Sequence, residues 1–354
     1  MSFQIKILKA AHGDCVFIRG IFEEGLPRNI LIDGGPSKAY KYRQYKGELL
    51  KELEQIKSSN QVVDLLILSH VDDDHIGGLL SGFKSDGLLA QLTKKVWFNS
   101  GKLIFEYFEK EPDNSNLIAM NNNDSASDGF TSIGQGVTFE SYLEAKNIWD
   151  KNLILEGQEK IEFGIKFSFL SPTEEKLKKL LVKWEKERPE SLTSSRNTDY
   201  DKTFSELLDS DEFQDDNSIH NGSSIAFIFE YGERRILLLG DAHDSVVVES
   251  LKNRIESGES NKFELVKLSH HGSKYNTSTD FLNLIDCDNY VVSTDASKHG
   301  LPNKTTLARI YASNPKANVF FNYPEITKSK IFTSNELAEL AGTEFTISSS
   351  DTVF

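Results

Sequence analysis

The chain opens on short apolar runs separated by turn residues. Phe3 to Leu8, Cys15 to Arg19 and Asn29 to Ile32 read as strands, with His12-Gly13-Asp14 and Gly25-Leu26-Pro27 as the breaks. The third run stops at Asp33-Gly34-Gly35-Pro36. Leu49, Leu50, Leu53 and Ile56 then share one face at helical spacing, which predicts a helix over 40–57. Val62 to Leu68 is apolar apart from Asp64, the pattern of a strand buried on both faces. It runs directly into Ser69-His70-Val71-Asp72-Asp73-Asp74-His75-Ile76-Gly77-Gly78, so this polar cluster falls between a strand's carboxyl end and a helix, where α/β folds place their sites.

The second half repeats the plan. Ile225 to Tyr231 and Arg235 to Leu239 predict a hairpin through Gly232-Glu233 that ends in Gly240-Asp241, followed by a helix over 244–256. Phe263 to His270 echoes Val63 to His70, each ending in Leu-Ser-His, which suggests two similar halves with converging loops; so short an echo also arises by chance. Residues 112–136, rich in Asn, Asp, Ser and Gly, read as a long loop. From Asp199 to Asn217 eight acids stand against one lysine, a net charge of −7, and the stretch reads as mobile, a lid or a partner-binding tail.

At 354 residues the chain exceeds a typical domain of roughly 100–200, yet layered α/β enzymes reach about 250 or more as one unit. A single unit over 1–354 is expected, with inserted segments at about 100–150 and 185–217. Cys15 and Cys287 make no disulfide framework and no CxxC pair, which suits a reducing compartment. The segment Met1 to Ile7 alternates like a strand and lacks the regions of a signal peptide. No apolar run approaches the roughly 20 residues that span a bilayer, so the expectation is a cytoplasmic protein without membrane association. A net charge of −14 argues against nonspecific binding of duplex nucleic acid by the whole surface.

His70, Asp72, Asp74 and His75 place four metal-ligating side chains within six residues. A tight loop can aim the first two at one cation and the last two at another roughly 3.5–4 Å away, as two-metal hydrolases require. The competing reading, an acidic helix start with Asp72 to Asp74 as cap, does not call for two flanking histidines after a buried strand. Asp241, read alone, is more often a turn or cap residue, and a His270-His271 pair at a strand end is more often structural than ligating. Adjacent side chains diverge, so the two histidines do not both bind one ion. Lys38 to Lys46 interleaves base and aromatic, including Lys41 and Arg43; it suits stacking and neutralising a single nucleic-acid strand, or is a solvated helix face.

Taken in order, these segments resemble the metallo-β-lactamase superfamily. His70-x-Asp72-x-Asp74-His75 is similar to the His-x-Asp-x-Asp-His variant of its His-x-His-x-Asp-His signature. The likeness is to the soluble metallo-hydrolase domain of ComEC-type DNA-uptake proteins. It extends over His12-Gly13-Asp14-Cys15, Ile32-Asp33-Gly34-Gly35, Leu238-Leu239-Gly240-Asp241 and His270-His271-Gly272-Ser273. Most of the chain is covered except roughly 100–215.

The resemblance implies an αββα sandwich of two mixed sheets with helices outside and a site for one or two divalent metals on one edge. It assigns His70 and Asp72 to a first metal, Asp74 and His75 to a second, and Asp241 as the bridge. His270-His271 supplies the last ligand of the second metal, with His271 favoured and its neighbour beside the ligand. The third ligand of the first metal aligns on Asn221, with His220 only incidentally near, which leaves that metal weakly held or absent. Asp33 is implied as a carboxylate that orients ligands, its alternative being a plain turn residue. Ser297 to Pro302 resembles a late His-Gly-His-Pro segment with Leu301 in place of the second histidine. His299 there is either a proton donor or phosphate contact, or a surface histidine. Asp72 in place of histidine shifts preference towards manganese or magnesium, and zinc remains compatible.

The activity so implied is metal-dependent hydrolysis through a metal-bound hydroxide, with Asp74, Asp241 and His299 closest to the chemistry. A phosphodiester, and nucleic acid in particular, is the leading substrate class. The alternatives are hydrolysis of another ester, a thioester or a lactam, and a weakly catalytic sensing module that binds a protein partner through its acidic segment.

Overall fold

Alternation along the strands sorts side chains onto two faces. In Phe3–Ile7, Phe3, Ile5 and Ile7 are buried while Gln4 is exposed, as the period of two requires. The computed structural model describes residues 3–109, 132–184, 198–349 and 352–353. Within them, Val16–Ile21 pairs antiparallel with Phe3–Ile7 and with Pro27–Ile32. Leu65–Ile67, Val96–Trp97 and Trp149–Asp150 continue that sheet in parallel. In the second sheet Glu159–Glu162, Ile165–Ser171, Ala226–Tyr231 and Arg234–Leu238 are antiparallel. Leu265–Lys267, Asn289–Val292, Asn318–Phe321 and Thr346–Ser349 then follow in parallel.

The inner faces of the two mixed sheets pack on one another. Ile5, Ile18, Ile30 and Trp97 from the first meet Phe167, Phe227, Phe229 and Ile236 from the second. On the outer faces, Phe17, Leu31 and Leu66 share a core with the helices Glu48–Ser58 and Asp73–Phe83. Leu237, Val266 and Val292 share another with Asp244–Glu256 and Lys304–Ser313. Each fully buried large apolar side chain contributes about 1.5–3 kcal/mol, and the result is the expected αββα sandwich of two mixed sheets.

Three expectations are corrected. The helix over 40–57 is a short helix Ser37–Tyr40, a hairpin of Lys41–Tyr42 with Tyr45–Lys46, and the helix Glu48–Ser58. Arg43 takes a left-handed turn conformation, φ +53°, and Gly47 lies so close to Ala39 that a Cβ would fall 2.0 Å from its carbonyl oxygen. The strip holding Lys41 and Arg43 is thus a hairpin rather than a helix face. Of the expected loop over 112–136, residues 132–136 begin the helix Ser132–Lys146, while 112–131, like 185–197 of the second inserted segment, lie outside the described residues.

The acidic stretch is pinned rather than free. Asp199 accepts from the backbone N–H of Lys304 and Thr305 at 2.8 and 2.9 Å, capping the helix Lys304–Ser313. Asp211 pairs with the buried Arg309 through two contacts of 2.6 Å. Thr203 and Glu206 form a capping box for the helix Phe204–Asp209. No helix among the described residues is long and apolar enough to cross a membrane.

Candidate metal centre

The strand ends that carry the polar motifs are tied to each other by backbone bonds. The Ile225 N–H donates to the Ser69 carbonyl at 3.0 Å and the His270 N–H to the Gly240 carbonyl at 2.9 Å. The loops after Leu65–Ile67, Arg234–Leu238 and Leu265–Lys267 therefore converge, as the Leu-Ser-His echo suggested.

Asp72 occupies the N-cap position of Asp73–Phe83, yet its side chain makes no capping bond. Its Oδ1 lies 2.5 Å from His220 Nδ1 and its Oδ2 lies 3.6 Å from His70 Nε2. His70 Nε2 is 3.8 Å from Asp241 Oδ2. On the other side of Asp241, His75 Nε2 stands 3.3 Å from Oδ1, and His271 Nε2 stands 3.4 Å from Asp74 Oδ2 and 4.0 Å from Asp241 Oδ2. Three groups emerge among the described residues, His70–His75–Asp241, Asp74–His75–His271 and Asp14–Asp33–His75, and within each the ligand atoms lie within 4.8 Å of one another.

These residues fit a divalent cation. Two donors each about 2.1 Å from one ion stand roughly 3.0–3.5 Å apart, close to the 3.3–4.0 Å separations seen. His70 Nε2, His75 Nε2, His271 Nε2 and Asp241 Oδ1 are buried and have no hydrogen-bond partner among the described residues, an arrangement that costs free energy without a shared ligand. The charges agree. Burial works to raise the Asp72 carboxyl, but hydrogen bonds with His220 and His70 hold it well below the usual range. Burial likewise opposes ionisation of Asp241, and His75, His270 and His271 outweigh it. His271, lowered by burial, is carried up to about 9 by Asp14 and Asp241. The carboxylates thus draw positive charge that a cation can supply in place of imidazole protons.

The imidazoles are held from behind. Asp33 Oδ2 is 2.7 Å from His75 Nδ1, and its two oxygens accept from the Ser69 hydroxyl and N–H at 2.7 Å each. His271 Nδ1 lies 2.9 Å from the Ser293 carbonyl oxygen and 3.2 Å from Asp14 Oδ1. Asp14 is itself paired with the buried Lys267.

At the first metal's third position the two candidates have different partners. Asn221 donates its amide to Asp216 at 2.7 Å and stands 3.3 Å from His270 Nδ1, whereas His220 lies directly on Asp72. The histidine pair does diverge: His270 stands by Asn276 and Asp216, with Nε2 3.9 Å from Asp241, while His271 joins Asp74. His299 is exposed, and burial with Lys298, His270 and His271 outweighs Asp74 to lower it below the ordinary histidine range. Lys41 and Arg43 are not part of the cluster; they lie in the exposed hairpin, Arg43 stacked 5.3 Å from the Tyr42 ring centre.

Sequence reasoning missed Lys267, Asp216 and the place of His12. A lysine inside the apolar strand Leu265–Lys267 was the available signal, because lysine is seldom fully buried unless paired. Asp216 was indistinguishable from the seven other acids of its stretch.

No family profile and no characterised protein sequence matches the chain. Among solved structures, it is similar over 99% of its length to the metallo-beta-lactamase fold protein YhfI from Bacillus subtilis, at 10% identity, 97% coverage of that chain and a TM-score of 0.40. It is similar also to zinc-bound PqqB from Methylobacterium extorquens, at 10% identity, full coverage of both chains and a TM-score of 0.42. A third likeness is to CmlA, a diiron beta-hydroxylase from Streptomyces venezuelae, at 12% identity and a TM-score of 0.40, over 99% of this chain and 53% of that one.

Proposed function

We propose that the chain is a metal-dependent hydrolase of phosphodiesters that prefers single-stranded nucleic acid to duplex. The observation that carries this reading is the convergence of three buried, unpartnered imidazole nitrogens on the Asp241 carboxylate. A divalent cation held there supplies Lewis acidity towards a phosphoryl oxygen and activates water.

The residues divide the remaining work. Asp241 would hold a cation with His70 and His75, and its Oδ2 also lies 4.0 Å from His271. Asp33 fixes the His75 ring so that Nε2 faces Asp241, and the Ser293 carbonyl with Asp14 does the same for His271. Asp72, Asp74 and Asp241 make an oxygen-rich donor set, which favours manganese or magnesium more than an all-histidine set does. An anionic diester suits such a site because the cation offsets the carboxylates. The hairpin presents Tyr42 and Tyr45, 56% and 66% exposed, beside Lys41 and Arg43, a surface on which a flexible strand can stack.

The test is a screen of protein loaded with zinc or manganese and counted for metal. Its substrates are single-stranded DNA, duplex DNA, RNA, bis(p-nitrophenyl) phosphate, a thioester and a β-lactam. Turnover of phosphodiesters, single strands ahead of duplex, is expected. Turnover of the thioester or lactam with none of any phosphodiester overturns the proposal.

A further inference from the structure

Three loops meet beside the cluster. The Asp14 N–H donates to the Asp74 carbonyl at 3.1 Å, and Gly13 is wedged so tightly that a Cβ would fall 1.9 Å from that oxygen and 2.8 Å from Pro36 Cδ. The Asp295 N–H donates to the Ala11 carbonyl at 2.8 Å, bringing in the loop that carries Lys298 and His299. Pro36 leads into Ser37–Tyr40, which carries Lys38.

His12 sits where these loops join. It is 6% exposed, and its Nδ1 is buried without a hydrogen-bond partner among the described residues. Burial, with the charges of Lys298, Lys38 and His271, lowers its ring to about 4 against the opposing pull of Asp74. Lys38 and Lys298 are exposed, and neither forms an ion pair among the described residues, although the chain carries 54 acids. Asp74, His270 and His271 also act on His299.

The Lys298 loop is held in a costly form. Ala296 and His299 both take left-handed backbone, φ +54° and +58°, which L-residues other than glycine adopt at a cost. Lys330 Nζ clasps the loop at the Asp295 carbonyl, 3.1 Å away. Backbone held in this way clusters at ligand sites.

We propose that His12, Lys38, Lys298 and His299 form a receptor for a second phosphate of the substrate, next to the group held at the Asp241 cluster. This rests on the phosphodiester reading and narrows it. The substrate is a polyanion with successive phosphates, and an isolated diester uses only part of the site. Lys38 and Lys298 supply charge, while the two imidazoles supply hydrogen bonds.

The experiment compares wild-type and K38A/K298A protein, both metal-loaded and counted for metal, on a short oligothymidylate and on bis(p-nitrophenyl) phosphate. The Michaelis constant for the oligonucleotide should rise about tenfold more than that for the small diester at low salt. The variant should also show a salt slope reduced by roughly one to two phosphate contacts. A merely structural role would not change the salt slope. Equal rises for both substrates, or none, overturn the second-phosphate receptor while leaving the hydrolase reading in place. If wild-type protein cleaves neither substrate, the hydrolase reading fails and the receptor is judged by fluorescence anisotropy of labelled oligothymidylate. A salt-sensitive loss of binding in K38A/K298A then supports it, and equal binding overturns it.

Discussion

Asp241 lies within 4.0 Å of ring nitrogens of His70, His75, His270 and His271, and this placement ranks the consequences of single substitutions. Asp241→Asn removes a charge that faces these rings, so it should lower bound metal and abolish turnover, read by elemental analysis beside activity. His220→Ala, now placed on Asp72, should lower metal content too, but only in part; an unchanged metal count would return His220 to a bystander. Asp33→Asn weakens the hold on His75 Nδ1 and should weaken metal affinity by about 10–100-fold, measured by competition with a chelator. The raised His271 sets a pH dependence with a definite sign. In the metal-free protein its ordinary value of 6.5 is carried to about 9, so its contribution to stability is fully present below pH 6.5 and lost as pH rises through 9. Metal must displace that proton, so affinity should strengthen with pH up to about 9. Calorimetry in buffers of different ionisation heat should show proton release on loading, reduced in His271→Ala.

At the scale of elements, the stretch from Asp199 to Asn217 changes meaning once its partners are known. Its acids count alike in a sequence, but Asp199 caps one helix and Asp211 answers Arg309, whose side chain is 1% exposed. Asp211→Ala leaves a buried guanidinium without its carboxylate and should cost roughly 3–5 kcal/mol of stability, visible as a lower urea midpoint. Deleting the whole stretch should therefore destabilise the protein rather than expose a better substrate path. The hairpin carries the opposite kind of prediction. Lys41 and Arg43 are exposed, so changing both to Ala should leave the thermal midpoint nearly unchanged and weaken single-stranded DNA cleavage, with the loss fading as salt rises.

For the whole molecule, the two sheets bring together side chains more than 200 residues apart, such as Asp14 and Lys267, and a cation at their edge would tie both sheets. Chelation should lower the melting temperature, because a ligand present at about 100 times its dissociation constant contributes roughly 2.7 kcal/mol; an unchanged melting curve would argue against a structural share for the metal. The local pattern was legible because burial and backbone geometry act over a few residues. Period-two alternation marked Phe3–Ile7, the helix Asp244–Glu256 was read within its observed bounds, and His70, Asp74 and His75 stood out as candidate metal ligands by residue type and spacing. The partnerships were not legible. Nothing in the order of residues tells that His220 reaches Asp72 across 148 positions, that Lys267 neutralises Asp14, or that the loop of Asp295 is bonded to Ala11. Charge acts through space with a strength set by distance and burial, and those are settled only when two sheets close face to face. Alternation, helical spacing and turn residues marked most strands and helices and the candidate ligands, because those signals act over a few residues; which donors meet was settled by the closing of the two sheets, because only packing brings remote charges within a few ångströms.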